Sequence, residues 1–182
     1  MLTAQRFHRV RTRLPWALPL LFASGCFGKD PYNPGTPLGT FRVLGTIVSN
    51  SCAEAPNPWE FEVKLSRDDT KLYWLSGGLP AEGAIDSSSH AVLTSEDTRT
   101  LRAEDPKTKA PACILMRKDT LDTVLSKPPV STFIGNLTYR FEVADGADCS
   151  DQLVASGGGF EALPCQVTYR IAGQIQGDGG AD

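Results

Sequence analysis

The sequence predicts an all-β fold: an antiparallel up-and-down meander of about eight strands, with a closed barrel favoured over a β-sandwich. Two observations predict it. From Thr40 onward apolar and polar residues alternate strictly, and no stretch carries an apolar stripe with the 3.6-residue period of a helix. The connections are short and rich in turn-forming residues, which leaves no room for crossover helices. Cysteine placement is a partial check on that topology: strands alternating in direction gather Cys52, Cys113, Cys149 and Cys165 at one rim, and one strand more or fewer would scatter them.

The elements follow in order. Phe41, Val43, Gly45 and Ile47 share one face of a first strand. Trp59, Phe61, Val63 and Leu65 share a face of the next, with Glu60, Glu62 and Lys64 on the other. Ser66-Arg67-Asp68-Asp69-Thr70-Lys71 has turn chemistry, so residues 59–76 read as a hairpin. Further strands are expected near 81–86, 90–103 and 113–125. Phe133, Gly135, Leu137, Tyr139, Phe141 and Val143 form a long strand, and Cys165, Val167, Tyr169 and Ile171 close the chain. At 182 residues the chain suits one domain, placed here at 39–176 with a flexible tail at 177–182.

The first 25 residues differ sharply from this pattern. Arg6, Arg9, Arg11 and Arg13 precede an apolar run from Leu14 to Ala23, interrupted by Pro15 and Pro19, and then small residues lead to Cys26. A basic start, a short apolar centre and a small-residue end make the plan of a secretory signal peptide. A run of roughly ten apolar residues is too short to span a bilayer as a helix.

Phe22-Ala23-Ser24-Gly25-Cys26 resembles a bacterial lipobox, although the position three before the cysteine, usually Leu, is Ala23. The resemblance implies cleavage ahead of Cys26, diacylglyceryl attachment to its thiol and acylation of the new amino terminus. Ala23-x-Gly25 also satisfies the small-x-small rule of ordinary signal peptidase, which would release a soluble protein. Cysteine parity favours the lipid: of five cysteines, Cys26 taken for the anchor leaves four for two disulfides in an oxidising compartment. Several acyl chains on one residue would give stable membrane attachment. Phe27 rather than Asp after the cysteine favours, by resemblance to enterobacterial sorting, the outer membrane. Residues 26–38, with Pro31, Pro34 and Pro37 three apart, suit an extended polyproline tether.

The charge balance narrows the partners. The whole chain carries 18 basic and 21 acidic side chains, a net charge of −3, and loss of the four arginines of the leader makes the remainder −7. Such a field disfavours nucleic acid and anionic membrane surfaces as partners.

Four cysteines allow three pairings. Cys149 with Cys165, leaving Cys52 with Cys113, closes the shortest loop and is the preferred expectation. In a closed barrel the first and last strands are neighbours, and Cys52–Cys165 with Cys113–Cys149 is the rival. A zinc or redox role is disfavoured because no CxxC occurs and only His90 follows the leader.

Chemistry-bearing groups are sparse. His90 lies beside Ser87, Ser88 and Ser89, but no glycine elbow or oxyanion hole accompanies them. Glu60 and Glu62 share a face, as any exposed strand would arrange them. Asp145, Asp148 and Asp151 offer a loose carboxylate set for calcium without the EF-hand spacing. Gly157-Gly158-Gly159 reads as a flexible loop. Trp59, Phe61, Tyr73 and Trp74 concentrate aromatic surface in one hairpin, either as core or as the wall of a ligand cavity. No catalytic residue, cofactor or metal is expected.

The lipobox, proline stalk, alternating strands and the late Asp-Cys-Ser-Asp-Gln and Leu-Pro-Cys segments resemble the many uncharacterised lipoproteins of myxobacterial type. That likeness implies an envelope location and supplies no activity. The expected role is a non-catalytic, lipid-anchored structural or adaptor protein of the outer membrane. A lipocalin-like carrier of a small apolar ligand is the alternative. An interior cavity lined by the aromatics favours the carrier, and a filled barrel with an exposed apolar patch favours the adaptor.

Overall fold

The computed structural model describes residues 30–177. The proposed leader (1–25), Cys26 and the first part of the tether lie outside the described residues, as does 178–182.

Eight antiparallel strands follow one another around a closed barrel. They are β1 (Thr36–Asn50), β2 (Trp59–Arg67), β3 (Lys71–Leu75), β4 (Ala81–Ala84), β5 (His90–Arg102), β6 (Cys113–Leu125), β7 (Thr132–Val143) and β8 (Cys165–Ile175). The meander closes where β1 pairs with β8, Phe41 opposite Ile175 and Gly45 opposite Ile171. Two single 3-10 turns, Ser150–Gln152 and Val154–Ser156, lie in the β7–β8 connection. The upper rim is defined here by Asn50, Trp59, Arg102, Cys113, Val143 and Cys165.

Alternation along each strand explains the core. Phe41 and Val43, Val63 and Leu65, Leu72 and Trp74, Ala91 and Leu93, Leu121 and Leu125, Phe133 and Leu137, and Ile171 point inward from their strands and are buried. They fill the lower half of the barrel. Gly173 sits opposite Phe133 in the ladder, and a Cβ there would stand 2.1 Å from the Phe133 ring. The missing side chain of Gly173 therefore makes room for one of the largest core residues.

β1 begins earlier than the tether boundary at residue 38. Thr36 and Pro37 already pair with Arg67 and Ser66, and the Ser66 hydroxyl donates to the Pro34 carbonyl. The β1 ladder to β8 starts only at Phe41. Pro37 thus lies where one edge of the strand is unpaired, a position that tolerates a residue without an N–H.

The preferred disulfide pairing is corrected. Cys52 pairs with Cys165 and Cys113 with Cys149, with Cα atoms 4.9 and 4.7 Å apart. Barrel closure is the reason: it makes β1 and β8 neighbours, so Cys52, just past the end of β1, meets the first residue of β8. The shortest sequence loop is not the shortest path across this rim.

The glycine triplet is also more ordered than a flexible loop. Gly157 adopts φ 86° after the second 3-10 turn, and Gly158 and Phe160 donate backbone hydrogen bonds to Leu153 and Gln152. A Cβ on Gly158 would stand 2.0 Å from the Gln152 carbonyl carbon, so this close backbone approach requires glycine.

Candidate functional site

The barrel wall is complete below and open above. β3 meets β2 only from Lys64↔Leu75 to Arg67↔Leu72, and β4 meets β5 at Glu82↔Thr94, with Ile85 bridging Ala91. Trp59–Val63 of β2 and Ser95–Arg102 of β5 therefore have no strand partner on the edges that face each other. In a full wall two strands would fill that space, a separation of roughly 14 Å at the usual strand spacing. The loop Ser76–Pro80 forms the sill of the opening.

A cavity of about 890 Å³ lies behind it. Its floor is Leu93, Leu121, Leu137 and Trp74, the top of the core. One wall is aromatic: Trp59 packs on Phe61 with centroids 4.3 Å apart and on Tyr169 at 5.2 Å, while Phe61 approaches Trp74 at 6.0 Å. These spacings suit tilted and edge contacts between rings. Trp59, Phe61 and Trp74 thus line the cavity as one of the two sequence readings required. Tyr73 does not join them, because it alternates to the other face of β3, where its hydroxyl donates to Asp68.

The other wall is polar, and the two meet where Trp59 packs on Tyr139 at 5.9 Å. Arg117 and Asp119 of β6 form a two-pronged ion pair, Nε to Oδ1 and Nη2 to Oδ2, both at 2.7 Å. The Arg117 guanidinium also lies over the Tyr139 ring, 4.5 Å from its centroid. Across the ladder Asp97 faces Arg117, and Asp97 in turn accepts from Arg99 at 2.8 Å. Burial works against the charge of Arg117, but the Asp119 hydrogen bonds outweigh it and hold the guanidinium above its ordinary pKa. Burial pushes the Tyr139 phenol up, and the nearby Asp119 charge adds to the shift. Two smaller cavities, of about 300 and 210 Å³, also border Arg117, one toward Tyr169 and one toward Phe160. Arg117 therefore stands where all three meet.

Sequence reasoning did not single out Arg117, Asp119, Asp97 or Arg99. A signal was present. In 113–125 the inward phase runs through Cys113, Leu115, Leu121, Thr123 and Leu125, and Arg117 and Asp119 occupy that same phase. Two charges on the apolar side of a strand mark a place where the interior holds water or a ligand.

The other candidates separate. Ser88 donates its hydroxyl to Asp86 at 2.6 Å, and His90 Nε2 meets Asp122 of β6 at 2.7 Å. A carboxylate from another strand does reach His90, but the imidazole bonds to no serine and lines none of the cavities described. Glu60 pairs with Arg42 at 2.6 Å and Glu62 accepts from Gln176 at 2.5 Å, both on the outer wall.

In the calcium candidate, Asp148 accepts from the backbone N–H of Ser150, whereas Asp151 meets Arg102 Nη1 at 2.8 Å. Arg102 Nη2 donates to the carbonyls of Pro111 and Asp148. These carboxylates are spent on holding the rim loops beside the Cys113–Cys149 disulfide. Among the described residues no cluster of three metal-ligating side chains forms.

Comparison of this chain with protein-family models, with curated proteins and with solved structures finds no match in any of the three.

Proposed function

We propose that this protein is a lipid-anchored, non-catalytic envelope protein that binds a small ligand in the side-open upper half of its barrel. The cavity behind the β2–β5 opening carries the reading. Its volume of about 890 Å³ falls within the range of small-molecule sites, and the rings of Trp59, Phe61 and Trp74 line it. The anchor on Cys26 and the outer-membrane location rest on the lipobox resemblance, the leader and the parity of the cysteines. Lipid attachment ahead of β1 would tether the lower rim, leaving the open upper half directed away from the bilayer.

Native mass spectrometry of protein extracted from envelopes in mild detergent tests this. The expected spectrum shows loss of residues 1–25, added acyl mass and a small molecule that dissociates on activation. Ser95→Trp, which places an indole in the cavity from β5, is expected to abolish the adduct while melting remains cooperative. Equal ligand occupancy in a folded Ser95→Trp variant would contradict the reading.

One observation favours the adaptor as a second reading. Val124, Ile134, Ala172 and Leu44 stand side by side across β6, β7, β8 and β1, each opposite the next in the ladder, and all are exposed. Ile134 is 64% exposed. This row is a contiguous apolar strip on the outer wall, of the kind that protein contacts use. Ile134→Lys would weaken such a contact and leave ligand binding unchanged.

A further inference from the structure

We infer that the ligand is an uncharged, polyhydroxylated ring compound, a neutral saccharide, with its flat face on Trp59 and Phe61 and its hydroxyl groups toward the Arg117–Asp119 and Asp97–Arg99 pairs. The inference rests on the ligand-binding reading above and specifies the chemistry of that site.

Charge bookkeeping within the cavity decides between ligand classes. Its inward-facing charged side chains are two carboxylates and two guanidiniums, each already joined to a neighbour at 2.7 or 2.8 Å, while Glu62 and Glu96, which also border the cavity, turn their carboxylates outward to Gln176 and Lys118. A cation would gain from Asp119 and lose against Arg117, and an anion would do the reverse. The opposed charges cancel, so an ion of either sign finds no net field in the cavity to hold it. An apolar ligand fares worse, because it covers four charged groups and replaces none of the hydrogen bonds they make to water.

A hydroxyl both donates and accepts, so a polyol can use the free lone pairs of the carboxylates and the remaining N–H groups of the guanidiniums without breaking either pair. The fork of Arg117 is fixed by Asp119 and by Tyr139 beneath it, which presents its outer N–H groups in a set direction. The aromatic wall supplies the other requirement. Trp59 and Phe61 offer apolar ring surface, and the ring C–H face of a saccharide is its one extended apolar surface. The opening beside the sill is a side door, so a sugar at the end of a longer chain enters as readily as a free one.

The only tryptophans beyond the leader are Trp59 and Trp74, and both line the cavity, so intrinsic fluorescence reports on it directly. The experiment titrates the lipid-anchored protein in detergent with cellobiose, maltose and lactose, with their glucuronate and glucosamine counterparts, and with the uncharged apolar dye N-phenyl-1-naphthylamine. Isothermal calorimetry runs in parallel. At least one neutral disaccharide is expected to shift the emission saturably, with little dependence on salt, and to bind about tenfold more tightly than its charged counterparts. Trp59→Ala should weaken that binding about tenfold. Asp97→Asn, which leaves the aromatic wall intact, should weaken saccharide binding several-fold and spare the dye.

Charged sugars binding as well as neutral ones would overturn the inference. Dye binding without saccharide binding would also overturn it while leaving the ligand-binding reading in place. No response to any probe, with wild type and Ser95→Trp indistinguishable, would remove both.

Discussion

Arg102 is a single residue whose three contacts tie two segments together: the approach to β6 through the Pro111 carbonyl, and the β7–β8 loop through the Asp148 carbonyl and the Asp151 carboxylate of its first 3-10 turn. Arg102→Ala leaves those acceptors without their charged donor and is expected to cost about 1 to 2 kcal/mol, read as a lower urea midpoint with an unchanged slope. At the same scale, aspartates set the acid limit of the fold. Asp86 is held below the usual carboxylate range by the Ser88 hydroxyl and backbone N–H groups, Asp105 by the N–H of Lys107 and the Thr108 hydroxyl, and Asp148 by Ser150. A depressed folded pKa contributes stability that is present above the unfolded value of about 3.9 and is lost as pH falls through the folded one. The melting temperature is therefore expected to hold from neutrality down to about pH 4 and to fall below it, and Asp86→Asn should flatten part of that decline. Asp86 fell inside the strand expected at 81–86, which ends at Ala84, but Asp148 was legible as a turn former from its residue type. Arg102 was not, because its partners are carbonyls distant in sequence, which no local pattern displays.

At the scale of elements, the long alternating strands were legible in their buried face, since a two-residue period leaves one choice, although β1 starts at Thr36, inside the segment read as tether. β3 and β4 were the exception in consequence though not in place: their positions follow from the sequence, but that they stop short of the upper rim, and so open the wall, depends on their register against β2 and β5. The disulfides show the same division. Their gathering at one rim follows from strand counting, whereas their pairing needed the closure of β1 on β8. Their energetic weights differ, because Cys52–Cys165 spans 113 residues and Cys113–Cys149 spans 36. On the chain-entropy account the first stabilises by about 1 kcal/mol more than the second. The double variant Cys52→Ser/Cys165→Ser should accordingly melt lower than Cys113→Ser/Cys149→Ser in parallel thermal scans. Equal melting would show that native packing around the rim, rather than loop closure, sets the effect.

For the whole molecule, the barrel divides into a fully walled lower half and a side-open upper half, where the core continues only along Val167 and Tyr169 and the walls differ in kind, aromatic on one side and ion-paired on the other. The sequence carried both walls as separate facts, the aromatic hairpin and the inward charges of β6, and only the closed sheet sets them around one cavity. The proposed lipid on Cys26 would hold this cup at an envelope surface, where its acidity would repel it from an anionic bilayer. The most direct measurement is the pair of indole N–H resonances of Trp59 and Trp74 in a proton–nitrogen spectrum, followed as ligand is added and compared with methyl resonances of Leu44, Val124 and Ile134. A ligand seated in the cup moves both indole signals and leaves the outer-wall methyls in place, and in Ser95→Trp it moves neither the Trp59 and Trp74 signals nor the methyls. Indole signals that stay fixed while the outer-wall methyls shift would contradict the account and transfer binding to the apolar strip.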